Sequence, residues 1–139
     1  MTAQDATAVI RRYFDAFNSG DLDAMLTLLS DDVRHDVNQG ERRIGKHAFA
    51  EFCSGMNTSY KETARDLVIM ASEDGGRAAA EFVIDGTYLE TYQGLPDAEG
   101  QSYELPVGSF FEIQGGKITR VTTYYNMTDW TWQVGGAAA

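Results

Sequence analysis

Three side chains of this chain can move a proton or steady an oxyanion, and their types and placing suggest one chemistry: His35, Tyr13 and Asn126. Imidazole titrates near neutral pH, so His35 can act as a general base. It sits in the alternating run Val33-Arg34-His35-Asp36-Val37, where strand parity turns it to the same side as Val33 and Val37. A core histidine bonded to a neighbour satisfies the same parity, and both readings stay open. Tyr13 offers a phenol that donates to a ligand oxygen, or one that packs beneath a sheet. Asn126 offers an amide that meets a carbonyl in either orientation, or one that caps a helix before Thr128-Asp129-Trp130. Asp36 falls on the opposite strand face and reads as a surface carboxylate.

Around these groups the apolar residues Phe17, Phe52, Met56, Tyr88, Phe110, Tyr124 and Trp130 would make an aromatic wall for a flat hydrophobic ligand, or simply a core. Arg42 and Arg43 stand on a polar connector, where they hold a ligand carboxylate or point to solvent as a loop pair. Cys53 lies on an inward helical stripe as a small hydrophobe. The two histidines, His35 and His47, lack Cys or carboxylate partners at ligand spacing, so no metal is expected. No Gly-rich phosphate loop and no Ser-centred nucleophile elbow occurs, and no cofactor is expected.

The elements that must position these groups follow from periodicity. Thr2 and Asp5 form a capping-box signature, after which Val9, Ile10, Tyr13, Phe14 and Phe17 recur at helical spacing until Asn18-Ser19-Gly20. Asp21 caps a short second helix with Leu22, Met25, Leu26 and Leu29 as its stripe, ending near Ser30-Asp31-Asp32. Val33 to Val37 is a short strand. A polar connector then leads to a third helix from Lys46, with Phe49, Phe52, Cys53 and Met56 inward. From residue 62 the period changes to two, predicting strands over 62–72, 77–92, 101–114 and 117–127 in an antiparallel meander. The segment 94–100 is expected to project as a hairpin tip. On the last strand, parity separates Val121, Thr123, Tyr125 and Met127 from Thr122, Tyr124 and Asn126. The second set is assigned to the pocket, and the first to an outer stripe.

The chain has 139 residues with 11 Lys plus Arg against 21 Asp plus Glu, a formal charge of −10. That length suits one domain burying roughly 68% of its unfolded surface. The boundaries expected are 1–134 for the domain and 135–139 for a flexible tail. The charge repels phosphate backbones and anionic lipid, so neither nucleic acid nor membrane is an expected partner. With one cysteine, Cys53, and no basic-then-apolar leader, a cytoplasmic setting is the default expectation. The fold class expected is α+β: a cone-shaped, strongly curved antiparallel or mixed sheet wrapped over three N-terminal helices.

The stretches Tyr13-Phe14-Asp15-Ala16-Phe17-Asn18-Ser19-Gly20-Asp21-Leu22-Asp23, Leu29-Ser30-Asp31-Asp32-Val33 and Gly45-Lys46 resemble the nuclear transport factor 2-like superfamily, in the branch of ketosteroid isomerases and SnoaL-like polyketide cyclases. The resemblance spans nearly the whole chain. It implies a hollow for a small hydrophobic molecule and proton transfer beside a carbonyl, or else a non-catalytic binding or assembly module. Ketosteroid isomerases pair a carboxylate base with a tyrosine and a protonated aspartate. Matched onto this chain, the tyrosine is Tyr13, the base position is Val37 and the aspartate position is Gly108. The acid/base aspartate of the cyclases falls on Asn126, an amide. The expected enzyme therefore uses His35 as base with Tyr13 and Asn126 as donors. A homodimer through the sheet is expected, with the stripe Val121, Thr123, Tyr125 and Met127 covered by a twofold mate.

Overall fold

The Thr2 hydroxyl accepts from the Asp5 amide while the Asp5 carboxylate accepts from the Thr2 N–H, which locks the start of α1 (Ala3–Ser19). Ala6, Val9, Ile10, Tyr13 and Phe14 form its buried stripe, and Gly20 ends it at φ 70°, a left-handed cap that a Cβ would strain. The computed structural model describes residues 1–135. Asp21 caps α2 (Leu22–Thr27), its carboxylate accepting from the Ala24 amide. There follow β1 (Leu29–Val37), β2 (Arg43–Ile44), α3 (Lys46–Ser59), β3 (Tyr60–Ala71), β4 (Arg77–Tyr88), β5 (Ser102–Gln114), β6 (Lys117–Tyr125) and α4 (Met127–Gly135).

The architecture is α+β, with a six-stranded, curved, unclosed mixed sheet in the order β2-β1-β6-β5-β4-β3. Every pairing is antiparallel except β1 with β6, which is parallel. The register shifts between Arg65 and Val68, where Asp66 takes φ 56°, and again between Glu112 and Ile113. Such irregularities bend strands and increase twist. The concave side receives α1 against β3 and β4, and α3 against β1, β2 and β3.

Several boundaries differ from the sequence expectation. β1 begins at Leu29 rather than Val33 because Leu29 already pairs with Ile118 in the parallel ladder. The polar connector contains β2. The last strand stops at Tyr125, and Asn126 begins α4, its amide oxygen accepting from the Asp129 N–H at 3.0 Å. Of the expected tail, Gly135 closes α4, while 136–139 lie outside the described residues. The connection between β4 and β5 does not project. The buried Tyr88 hydroxyl donates to the Pro96 carbonyl at 2.7 Å and accepts from the Tyr92 N–H at 3.0 Å, which holds that segment against the end of β4.

Gly86 has a structural task set by the strand register. Glu62, Gly86 and Tyr103 are direct partners across β3, β4 and β5. The Tyr103 ring crosses over Gly86, where a Cβ would lie 2.2 Å from its Cζ, and its hydroxyl donates to the Glu62 carboxylate. Gly86→Ala is therefore expected to displace the ring, leave the Glu62 carboxyl buried without its donor, and cost about 2–4 kcal/mol in denaturant unfolding. An unchanged midpoint would show that the ring does not need this gap.

Candidate functional site

Between the concave sheet, α1, α3 and α4 lies a hollow of about 870 Å³. Its walls are mainly apolar: Phe14, Phe17, Phe49, Phe52, Met56 and Trp130 supply much of the surface. The segment after β4 closes part of the rim with Leu89, Tyr92 and Leu95. Tyr92 stacks on Tyr60 at 6.0 Å between ring centroids.

His35 is 5% exposed and lines this hollow, between the Phe49 ring at 4.6 Å and the Phe52 ring at 4.9 Å. Its parity follows from Val33 and Val37 on either side of it. Nδ1 is buried with no hydrogen-bond partner, an exception to the rule that buried polar atoms are paired. Burial, and secondarily the Arg43 charge, push its pKa down to about 4, with Asp36 opposing weakly. At neutral pH the ring is an uncharged base. Arg43 is the direct cross-strand partner of His35. Its guanidinium lies 4.5 Å over the Phe52 ring.

Tyr13 also lines the hollow, its ring edge-on to Phe111 at 5.5 Å. Burial, then the nearby Cys53, raise its pKa, so the phenol keeps its proton and can only donate or accept a hydrogen bond. Cys53 is half-buried on the same wall, and burial pushes its thiol up to about 11. Ser109 and Thr123, cross-strand partners on β5 and β6, share a hydrogen bond at 2.8 Å between their hydroxyls on the floor.

The structure departs from the expected placing of several residues. On β6 the inward set is Val121, Thr123 and Tyr125, whereas Tyr124 is 54% exposed on the outer face beside Phe110, 43% exposed, with ring centroids 6.0 Å apart. The two sides of β6 are thus the reverse of those expected, because both carry bulky groups and alternation alone does not orient them. Tyr124, Phe110 and Asn126 do not line the hollow, and Val121 cannot serve an outer stripe since it is buried. Asn126 belongs to the α4 cap. Tyr88 is wholly buried in the core, stacked on Tyr60 at 5.3 Å, rather than on the wall. Phe17, Phe52, Met56 and Trp130 do line the hollow.

Counting to Gly108 for the family's aspartate reaches an outward position; the inward neighbours are Val107 and Ser109, of which only Ser109 can donate. Asp36 faces out, accepting from the Arg42 guanidinium at 2.7 and 2.8 Å and from the Thr122 hydroxyl at 2.6 Å. Those bonds hold its pKa down to about 2.

Sequence reasoning missed Glu62. It lines the hollow from β3, and burial raises its pKa, opposed by the bond from Tyr103. Alternation through Tyr60, Glu62 and Ala64 would have found it, since both neighbours on that face are buried. Among the described residues no group of three His, Cys, Asp or Glu side chains is placed to hold a metal ion, and no helix is long and apolar enough to cross a membrane.

A curved sheet over N-terminal helices with an apolar hollow defines the fold class, and the comparisons agree with it. Residues 10–121 match the SnoaL-like domain model, and the chain belongs to this family, within the nuclear transport factor 2-like superfamily. Against the curated proteins the chain finds no match. Among solved structures it is similar to a provisionally named polyketide cyclase from Silicibacter sp. TM1040, at 56% identity and TM-score 0.93, covering 96% of this chain and 98% of that one. Another, from Xanthomonas campestris pv. campestris, has 53% identity and TM-score 0.92, covering 94% and 97%. A provisionally named ketosteroid isomerase from Kribbella flavida DSM 17836 has 25% identity and TM-score 0.65, covering 91% and 82%.

The His35 environment makes a stability prediction. Its pKa is lowered in the fold to about 4 from an ordinary 6.5. Above pH 6.5 the imidazole is neutral both folded and unfolded and contributes nothing; as pH falls from there towards 4, the unfolded state takes up the proton first and folding loses stability. The loss approaches about 3 kcal/mol at the low end of that window. His35→Phe, with no titrating ring, should gain that amount relative to wild type between pH 7 and pH 4 in denaturant titrations. A pH-independent difference between the two would refute the neutral buried imidazole.

Proposed function

We propose that the chain binds a small hydrophobic carbonyl compound in the hollow and moves a proton beside that carbonyl, in the manner of an isomerase or a cyclase-type lyase. The observation that carries this reading is His35: a buried, neutral, unpartnered imidazole on an apolar wall. An imidazole nitrogen takes the proton from the carbon next to the carbonyl. The electron pair moves onto the carbonyl oxygen, and the protonated ring returns the proton to the product carbon. Tyr13 donates a hydrogen bond to the developing oxyanion, and the Ser109 and Thr123 hydroxyls offer a second donor on the floor. Glu62, whose carboxyl is drawn towards its protonated form, is a further acid on the opposite part of the wall. The names carried by the similar proteins, polyketide cyclase and ketosteroid isomerase, support the class. The alternative is a binding or assembly module without chemistry, since Val37 and Gly108 occupy the positions of two family carboxylates.

A panel of conjugated ketones separates the two. His35→Ala is expected to lower kcat/KM about 10²–10⁴-fold. The wild-type profile should climb through a midpoint near pH 4 and stay level above it, because the base form prevails there. Equal rates in wild type and variant would remove His35 from the reaction, and ligand binding without turnover would favour the module.

The proposal includes a homodimer through the outer sheet face, with Phe110 and Tyr124 as the covered pair in place of the stripe first expected. Phe110→Glu should shift sedimentation from dimer to monomer. A wild type that sediments only as monomer at high concentration would dismiss it.

A further inference from the structure

The two arginines of the connector are treated differently by the fold. Arg42 lies on the outer side, where its guanidinium donates two bonds to the Asp36 carboxylate at 2.7 and 2.8 Å. Arg43 turns inward and lines the hollow, and among the described residues its side chain has no ion-pair or hydrogen-bond partner. Its one defined contact is the face of Phe52, 4.5 Å below the guanidinium carbon. That contact seats the cation against the ring, and none of its N–H groups is bonded among the described residues. Beside it stands His35, the direct partner across β1 and β2, so the two Cβ atoms are about 4.5–5.5 Å apart on one face. His35 is 5% exposed, and its Nδ1 has no partner.

We infer that Arg43 and His35 form an anion subsite in the hollow, and that the ligand is a hydrophobic molecule carrying a carboxylate. This rests on the reading of the hollow as a site for small hydrophobic molecules, and it adds the charged end of such a molecule. A single guanidinium presents one planar fork, which fits the two oxygens of a carboxylate. A phosphate would bring more charge than one arginine answers, against a chain with formal charge −10. The polarity of the hollow gives the direction of binding. Arg43 is on β2 and Glu62 on β3, the two opposite edge strands of the sheet. A ligand carboxylate is drawn to the first edge, where the cation stands, and its apolar body lies against Phe49, Phe52 and Met56.

The test uses the full chain and two probes of equal shape, 2-naphthoate and its methyl ester, titrated calorimetrically at about neutral pH and low salt. Wild type is expected to bind the carboxylate about tenfold more tightly than the ester, the scale of a charge-assisted hydrogen bond. Arg43→Gln should weaken naphthoate about tenfold and leave the ester unchanged, which also shows that the hollow is intact. Arg42→Gln, on the outer face, should keep the preference. Equal affinities in wild type, or a preference that survives Arg43→Gln, would overturn the subsite while leaving the hydrophobic reading in place. If neither probe binds wild type, the hydrophobic reading fails and the subsite with it.

Discussion

The parallel pairing of β1 with β6 holds His35 opposite Val121 and Val37 opposite Thr123, and this register decides which side chains reach the hollow. A slip of β1 by one residue against β6 would carry Asp36 inside and send His35 to solvent. The outer face guards against it. Asp36 and Thr122 are direct partners, bonded at 2.6 Å; Thr122 also accepts from the Arg120 guanidinium at 2.7 Å, and Arg120 is paired with Glu112 on β5. These bonds run across three adjacent strands on the side away from the hollow. They leave Thr122 buried on an exposed face, which is why its burial is a poor guide to which side of the sheet it occupies.

How much of this was legible in the chain depends on whether the signal was local. The α1 cap was readable because Thr2 and Asp5 sit three apart and satisfy each other. The inward turn of His35 was readable because Val33 and Val37 leave only one face for a core. On β6 the same rule gave the wrong side, since Thr122 and Tyr124 are as bulky as Thr123 and Tyr125 and only the neighbouring strands tell them apart. The start of α4 was one of two meanings of Asn126, and the cap won because Asp129 presents its N–H there. Glu62 stayed hidden for a different reason. Its parity with Tyr60 and Ala64 marks the inward face, but the partner that holds it there, Tyr103, lies 41 residues away and reaches it over Gly86.

His35 and Asp36 are consecutive, yet the fold gives them opposite electrostatic fates. The carboxylate is turned out to Arg42 and Thr122, which hold it ionised down to about pH 2. The imidazole is turned into an apolar wall, which keeps it uncharged down to about pH 4. The alternation of one strand therefore separates a structural anion from a neutral base without any change in sequence distance. Glu62, on the far edge strand, is displaced in the other direction, since burial favours its protonated form. The hollow thus holds a neutral imidazole at one edge and a carboxyl drawn towards neutrality at the other. Both are states that an apolar interior tolerates at neutral pH.

A base whose conjugate acid has a pKa of about 4 is as weak as an ordinary carboxylate, so it cannot by itself draw a proton from an unactivated carbon. In the proposed reaction the rate would then come from the other end, where charge arrives on the carbonyl oxygen. A phenol whose pKa is raised by burial is a poor proton donor in full transfer but a dependable hydrogen-bond donor, and Tyr13 is in that state. A cation beside the base works in the same sense, because Arg43 stabilises negative charge in the hollow even as it depresses the basicity of His35. The two effects of Arg43 are one field acting on two groups. A ligand that brings its own negative charge to that edge would offset the share of the depression owed to Arg43 while it is bound, and leave the larger share, which is burial.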